Sequence, residues 1–327
     1  MKQNFSSITD LLDELKRLLI INNIEDSLKI TEQKFPFGFI IGNPRSGTTF
    51  FTEYLANSGC FSYPTNTLAR FSYAPYIGAL VQQLLFNKDF DPLNELNYTD
   101  SSILYKSNLG KTSGFLAPNE FQHFFRNYIS NYFPEYINQE EFKKIDFKEM
   151  KRNLCLIENV FQQPFITKAI MIQYNLVDFY KEIPNSIFFY LKRDPFYVMQ
   201  SIYMAREKYY GDLSKWWSVK PKEHESLKNM DVYHQIAGQV FYTDLSIQQS
   251  LEQIPEDNKL LIDYEDFCVN PQKYFQKIKE LYKEKNIEFN SDKKGVENLF
   301  QNSNVLKIKK SEFSRLKDAY IDLKESL

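Results

Sequence analysis

The chain has 327 residues, with Lys+Arg 40 against Asp+Glu 42 and a formal charge of −2. That balance lacks the basic excess of a nucleic-acid-binding footprint, so no nucleic-acid partner is expected. A hydrophobic content of 43% with 25% charged residues argues for a packed globular chain rather than a disordered one, long enough for one large α/β domain or two small ones.

In chain order, residues 9–30 read as an amphipathic helix with Leu11, Leu12, Leu15, Leu18 and Leu19 on one face. Its charges (Asp10, Asp13, Glu14, Lys16, Arg17) argue against a signal peptide. Phe37-Gly38-Phe39-Ile40-Ile41, ending in Gly42, suits a buried strand and is too short for a helix. The same pattern returns at Phe165-Ile166-Thr167, at Ile187-Phe188-Phe189-Tyr190-Leu191 and at Lys259 to Tyr264, and helix-like segments follow at 47–57, 173–182, 195–209 and 271–284. Residues 230–253 form a further helical pattern. The stretch 73–160 has little strand signal and reads as a helical insertion; its stripe of Tyr76, Ile77, Leu80, Leu84 and Leu85 is a core face or, alternatively, a lipid-facing one. Strands alternating with helices imply right-handed crossovers. The expected fold is α/β, a three-layer doubly wound mainly parallel sheet in a single domain over 1–327, with ligands beyond the carboxyl ends of its strands.

No apolar run reaches the length of a transmembrane helix, while peripheral membrane contact stays open. Cys60, Cys155 and Cys268 are odd in number and lack C-x-x-C spacing. Neither a disulfide framework nor a zinc site is expected, and a reducing, cytoplasmic setting is the default. Tyr 22 and Phe 29 fit aromatic cores or an aromatic-lined site.

The chemistry concentrates in Gly42-Asn43-Pro44-Arg45-Ser46-Gly47-Thr48-Thr49, which joins the first strand to its helix. Glycines permit a tight turn that points successive N–H groups at an anion, and the helix adds its free N–H groups and positive dipole end. Ser46, Thr48 and Thr49 add hydroxyls, and Arg45 adds a permanent charge. A nucleotide-triphosphate loop reads G-x-x-x-x-G-K-[ST]; here Thr48 replaces its lysine. The cradle is P-loop-like, with a kinase-like transferase as an alternative. Further on, Arg193 closes a strand, Asp194 suits a helix N-cap and Pro195 the first helical position, so that Arg193 and Ser201 can clamp one phosphate.

These blocks resemble the PAPS-dependent sulfotransferases, in the bacterial-type form. That family's 5′-phosphosulfate loop reads P-[KR]-[SC]-G-T-T, its 3′-phosphate site runs strand, R-D-P, then a later Ser, and a Y-E-D block ending in Pro lies late in the fold. Pro44 to Thr49, Arg193 to Pro195 with Ser201, and Tyr264-Glu265-Asp266-Phe267 with Asn270-Pro271 match in that order. The resemblance implies a phosphosulfate-binding loop at Pro44, Arg45, Ser46, Gly47, Thr48 and Thr49, a 3′-phosphate site at Arg193 and Ser201, and Tyr264 near the adenine. Lys309 and Lys310, with Lys307, match a late basic loop. The co-substrate would be 3′-phosphoadenosine 5′-phosphosulfate (PAPS), the product 3′-phosphoadenosine 5′-phosphate (PAP), and the acceptor a small molecule, carbohydrate or lipid, with no metal expected.

Arg45 takes the loop-cation position; since arginine does not deprotonate, its role would be electrostatic. Lys168, at the end of the second strand, is a second candidate cation. Several subfamilies place a catalytic Glu in the segment after the loop's helix, but Ser62 to Thr67 hold no carboxylate. The next candidates are Glu120 and His123, expected one turn apart on a helical face. The missing carboxylate leaves a catalytically inactive PAP-binding module as another reading. Trp216 and Trp217 line an acceptor pocket or anchor their loop. His224 reads as a surface residue and His234 as a packed polar one.

Overall fold

A computed structural model describes residues 16–17, 32–90, 93, 95, 112–289 and 302–326. The amphipathic segment 9–30 lies outside these residues except for Lys16 and Arg17. The chain runs through β1 (Phe37–Gly42), α1 (Thr48–Asn57), α2 (Pro75–Phe86), α3 (Gln122–Phe125), α4 (Gln139–Phe142) and α5 (Phe147–Phe161). Next come β2 (Ile166–Lys168), α6 (Leu176–Glu182), β3 (Ser186–Lys192), α7 (Pro195–Tyr210), α8 (His224–Leu227) and α9 (Val232–Glu252). The chain then forms β4 (Lys259–Asp263), α10 (Tyr264–Val269), α11 (Pro271–Glu284) and α12 (Lys310–Glu325).

The strands form a parallel sheet in the order β2-β1-β3-β4, with Ile40 opposite Phe189 and Lys168. Both faces are covered, which is why the strands are continuous apolar runs. On one face Phe37, Phe39, Ile41, Phe188 and Tyr190 pack with Leu154 of α5, Phe179 of α6 and Ile247 of α9. On the other, Ile40, Ile166, Ile187, Phe189 and Ile262 meet Phe51 of α1, Phe267 of α10 and Ile278 of α11. Successive β1 residues therefore serve opposite layers, as the two-residue period of a strand requires, and the three-layer expectation holds. A third cluster joins Val198 and Ile202 of α7, Ile236 and Val240 of α9, and Leu316 and Ala319 of α12.

Two local expectations change. The helix expected from residue 173 begins at Leu176, because the backbone at Asn175 is not helical (φ −128, ψ 32); the Asn175 side chain accepts from Ile137 N at 3.0 Å and donates to Ile137 O at 2.8 Å. In α2 the stripe is not a core face. Leu80 is 44% and Leu84 62% exposed, whereas Gly78 and Ala79 are buried. The small residues win the packed side because Phe71 comes too close for more: a Cβ on Gly78 would lie 2.6 Å from that of Phe71.

Among the described residues, the carboxyl-bearing side chains buried in this framework are Glu158 and Asp244. Glu158 accepts from Lys34 N at 2.8 Å and Phe35 N at 3.2 Å, fastening the chain ahead of β1. Asp244 accepts the Tyr190 hydroxyl at 2.7 Å beneath the β1 loop. Burial raises the first to about 7 and the second from 3.8 to about 6. A carboxyl whose folded pKa is raised stabilises the fold fully only below its unfolded value, and that contribution is lost as pH rises through the folded value. Asp244→Asn removes one such titration. The stability difference between D244N and the parent should shift toward the mutant by about 2–3 kcal/mol as pH rises from about 4 to about 7. Paired thermal or urea unfolding curves at each pH check this.

Candidate active site

The carboxyl ends of all four strands open into one cleft of about 940 Å³. Asn43 to Arg45 and Gly47 to Thr49 line it after β1, Lys168 and Ile170 after β2, Arg193 after β3 and Tyr264 after β4. β1 lies between β2 and β3, so the chain leaves β1 in one direction for β2 and returns on its other side for β3. This reversal is where doubly wound sheets leave a crevice.

The glycine loop has a built conformation. The Asn43 side chain donates to Val240 O at 3.0 Å, and Ser46 N donates to Asn43 O at 3.1 Å. Arg45 sits at φ 72 and Gly47 at φ 98, both left-handed. Gly47 is required twice over, because a Cβ there would also lie 2.7 Å from the Tyr264 ring. No side chain caps α1, so its first-turn N–H groups are available to an anion. Ser46 is buried and does not line the cleft; its hydroxyl packs against Gly42, where a Cβ would lie 2.8 Å away.

Two guanidiniums meet above this loop. Arg45 Nε donates to Ser201 Oγ at 2.9 Å. Arg193 donates to Arg45 O at 2.8 Å, Asn304 Oδ1 at 2.8 Å and Ser303 Oγ at 3.1 Å, with its guanidinium 4.8 Å from the Tyr264 ring centre. The Tyr264 hydroxyl shares a 2.9 Å hydrogen bond with Ser303 Oγ. Burial lowers the pKa of both arginines, and Arg193 lowers that of Arg45 further. Neither forms an ion pair among the described residues. Arg193, Ser201, Arg45 and Tyr264 are thus brought together as the sequence implied.

On the opposite wall, the Lys168 side chain is only 3% exposed and pairs with Glu120 Oε1 at 3.0 Å while donating to Thr49 Oγ1. The other Glu120 oxygen accepts from Gln122 Nε2 at 2.7 Å, and Gln122 Oε1 accepts from Arg126 at 3.1 Å. Glu120 reaches this place by long-range pairing. Asn66 N donates to Ala117 O at 2.9 Å and Asn119 N to Pro64 O at 2.7 Å, which lays residues 117–119 along residues 64–66. The segment that lacks a carboxylate of its own receives one from a distant part of the chain. His123 also lines the cleft but does not share a helical face with Glu120. Phe121 at φ 55 turns the chain, and α3 begins only at Gln122. Partial burial, then Arg126, lowers the His123 pKa.

The outer rim is aromatic, formed by Tyr132, Phe133, Tyr209, Tyr210 and Trp217. The two tryptophans divide the roles offered for them. Trp217 faces the cleft, stacked on Tyr209 with centroids 6.1 Å apart. Trp216 anchors the loop by donating to Val219 O at 2.9 Å and packing edge-on to His224. Lys309 and Lys310 do not line the cleft; both are exposed at the start of α12. The late segment instead supplies Ser303 and Asn304 to Arg193, two uncharged residues that no motif signals. Gln122 was missed for the same reason. His224 and His234 lie outside the cleft, His234 being held by Asp231 Oδ2 at 2.6 Å. Among the described residues no group of three or more His, Cys, Asp or Glu side chains is gathered for a metal, and no helix is long and apolar enough to cross a membrane.

Gly47→Ala should cost about 1–3 kcal/mol from the positive φ alone, with the Tyr264 overlap adding to it. In a Tyr264→Ala background the same substitution should cost less. A double-mutant cycle on thermal unfolding separates the two contributions.

The sequence has no significant match among curated proteins. In structure the chain is similar to sulfotransferase STF9 from Mycobacterium avium, with a TM-score of 0.52 at 12% identity over 94% of this chain and 73% of that one. It is also similar to sulfotransferase STF1 from Mycobacterium tuberculosis H37Rv, with a TM-score of 0.52 at 15% identity over 88% and 75% of the two chains. These likenesses show a shared fold. Residues 36–284 match the profile of the sulfotransferase family. Because that match spans all four strands, the glycine loop and the helix carrying Ser201, the chain belongs to the sulfotransferase family.

Proposed function

We propose that the cleft binds PAPS and passes its sulfuryl group to a hydroxyl of a small-molecule acceptor, leaving PAP. The observation that carries this reading is the convergence of Arg45, Arg193 and the uncapped start of α1 on one cleft, with neither guanidinium in an ion pair among the described residues. Buried positive charge without a counter-ion favours a polyanionic ligand. Pro44, Arg45 and Gly47 to Thr49 take the 5′-phosphosulfate, with Ser46 buried behind them in the loop. Arg193 and Ser201 take the 3′-phosphate, and Tyr264, which packs against Gly47 and Arg193, takes the adenine. The same reading takes the chain as one domain with 73–160 inserted into it. Cys60, Cys155 and Cys268 are buried and none is in a disulfide, which fits a reducing, cytoplasmic setting.

Sulfuryl transfer needs alignment and charge stabilisation more than covalent help from the protein. The acceptor oxygen bonds to sulfur as the bond from sulfur to the bridging phosphate oxygen breaks. The departing electron pair stays with PAP, and the acceptor proton passes to the Glu120 carboxylate. Arg45 and Lys168 are the cations for the charge growing on the bridging oxygen. The aromatic rim suits the body of the acceptor, and Glu120, between rim and loop, suits its hydroxyl.

Calorimetry with PAP tests the donor site. Arg193→Ala should weaken binding by several kcal/mol, and Ser201→Ala by about 1–3 kcal/mol. Adenosine 5′-phosphosulfate, which lacks the 3′-phosphate, should be little affected by either. Parent-like PAP affinity in both variants, or Mg²⁺-dependent ATP binding with none for PAP, would overturn the assignment.

Glu120→Gln tests the chemistry. PAP affinity should stay within a few-fold of the parent, while sulfuryl transfer across a panel of hydroxylated acceptors falls about 10²–10⁴-fold. PAP binding without transfer by the parent protein would instead favour a binding module.

A further inference from the structure

Lys168 has a second acidic neighbour that the transfer scheme does not use. Glu53 lies on α1 one turn after Thr49, the residue whose hydroxyl the Lys168 ammonium touches. It does not line the cleft. Its Oε1 is buried and has no hydrogen-bond partner. An unpaired carboxyl oxygen in such a place is costly, and a well-packed structure seldom leaves one without a reason.

We propose that Glu53 is a positioning residue that acts through Lys168, taking up a proton when the donor's anionic end fills the glycine loop and releasing it when Lys168 loses its other counter-charge. The inference rests on the donor-site reading above. The charges facing the group are few. From β2 the charge is Lys168, which acts on Glu53 directly. From the segment before α3 it is Glu120, bonded to the same ammonium at 3.0 Å. The helix itself adds no other charge, and the Tyr54 hydroxyl donates at 3.1 Å to Pro271 O in the opposite layer.

The physical logic is charge balance around a buried ammonium. In the free site, Lys168 is compensated by Glu120 at close range and by Glu53 at longer range. An incoming phosphosulfate adds negative charge beside Lys168, so ionised Glu53 becomes unfavourable and binds a proton from solvent. When Glu120 accepts the acceptor's proton, its counter-charge disappears, and Glu53 can return its proton to solvent and take over the pairing. Burial already holds the Glu53 carboxyl near the point where this exchange is easy, with a pKa raised to about 7 against the lowering pull of Lys168.

Proton linkage on PAP binding reads this directly and needs no acceptor. Calorimetric titrations of PAP in buffers of different ionisation enthalpy give the protons exchanged, and comparison with Glu53→Gln cancels those belonging to PAP itself. The parent should take up about half a proton more than E53Q near pH 7.5, and the difference should fade by about pH 5.5, where Glu53 is already protonated in the free protein. Glu53→Asp should keep the extra uptake. Equal proton counts in the parent and E53Q at both pH values would overturn the role of Glu53 while leaving the donor site standing. No PAP binding by the parent would overturn both. If E53Q does not fold, the Glu53 carboxyl ¹³C shift of the parent, titrated with and without PAP, decides the matter. An unchanged midpoint refutes the coupling, and a midpoint raised by PAP supports it.

Discussion

Like charges gathered at the carboxyl edge of one sheet repel, and the rest of the site can be understood from how that repulsion is held. Arg193 donates to the backbone oxygen of Arg45 and to the uncharged Ser303 and Asn304, while Arg45 rests on Ser201. Neutral oxygens fix the direction of a guanidinium without cancelling its charge. A carboxylate in those places would stabilise the empty site and compete with an anionic ligand. The nearby acidic residue Glu265 is occupied instead by Asp194 N at 3.1 Å and by the Asn304 side chain. Lys168 is treated differently. It is more deeply buried than either arginine and, among the described residues, is the one of these three cations that makes a direct ion pair. The unpaired charges thus stand where the donor's phosphates are proposed to lie, and the paired one stands beside the proposed base.

Much of this was legible in the sequence because it is local. Four short apolar runs, each ending at a glycine, a basic residue or a tyrosine, give the strands and their functional ends. Gly42 to Thr49 specify a loop whose backbone demands are met by Gly47 and by the strained Arg45. Arg193-Asp194-Pro195 contains its own explanation: the Asp194 side chain accepts from Phe196 N at 2.8 Å and Pro195 opens α7. Sequence spacing does not reveal contacts made between distant segments. Glu120 occupies the region after the loop's helix only because residues 64–66 pair with residues 117–119. Periodicity alone could not choose the buried side of α2, since the decision rests with Gly78, which faces Phe71 and Leu68. The lysines at 309 and 310 drew attention as charges, whereas the contacts to Arg193 come from Ser303 and Asn304, whose value lies in being uncharged.

The segment that carries those two residues lies outside the stretch matched to the family, yet it leads into a helix packed on α7 and α9. Leu316, Ala319 and Leu323 of α12 pack with α7 and α9, and Glu312 accepts the Tyr203 hydroxyl at 3.3 Å and that of Tyr233. The Gln200 side chain joins the approach to α12, donating to Val305 O at 2.9 Å and accepting from Lys307 N at 2.7 Å. Gln200 immediately precedes Ser201. Docking of the last helix and orientation of the Arg45 and Arg193 guanidiniums are therefore consequences of one packing arrangement.

The same helix also sets the aromatic rim proposed for the acceptor. Arg206, just over one turn beyond Ser201 on α7, is fully buried and donates to Leu213 O at 3.1 Å and Gln235 Oε1 at 2.9 Å, beneath the Trp216 ring. Gln239 of α9 accepts from Arg206 and donates at 2.7 Å to both Trp217 O and Val219 O. A buried arginine with amide and carbonyl partners is costly to disrupt, because losing any one of them leaves a charge poorly solvated. The loop bearing Trp217 is consequently held by the interior of α7 and α9 rather than by its own contacts at the rim. Lys220 N then links that loop to the opposite lip by donating to Pro134 O at 2.8 Å, next to Tyr132 and Phe133. The cations proposed for the donor and the aromatic rim proposed for the acceptor are thus both referred to one helix, α7. This arrangement is well suited to in-line transfer, which requires that the distance between two bound reactants be fixed more tightly than either loop could fix it alone.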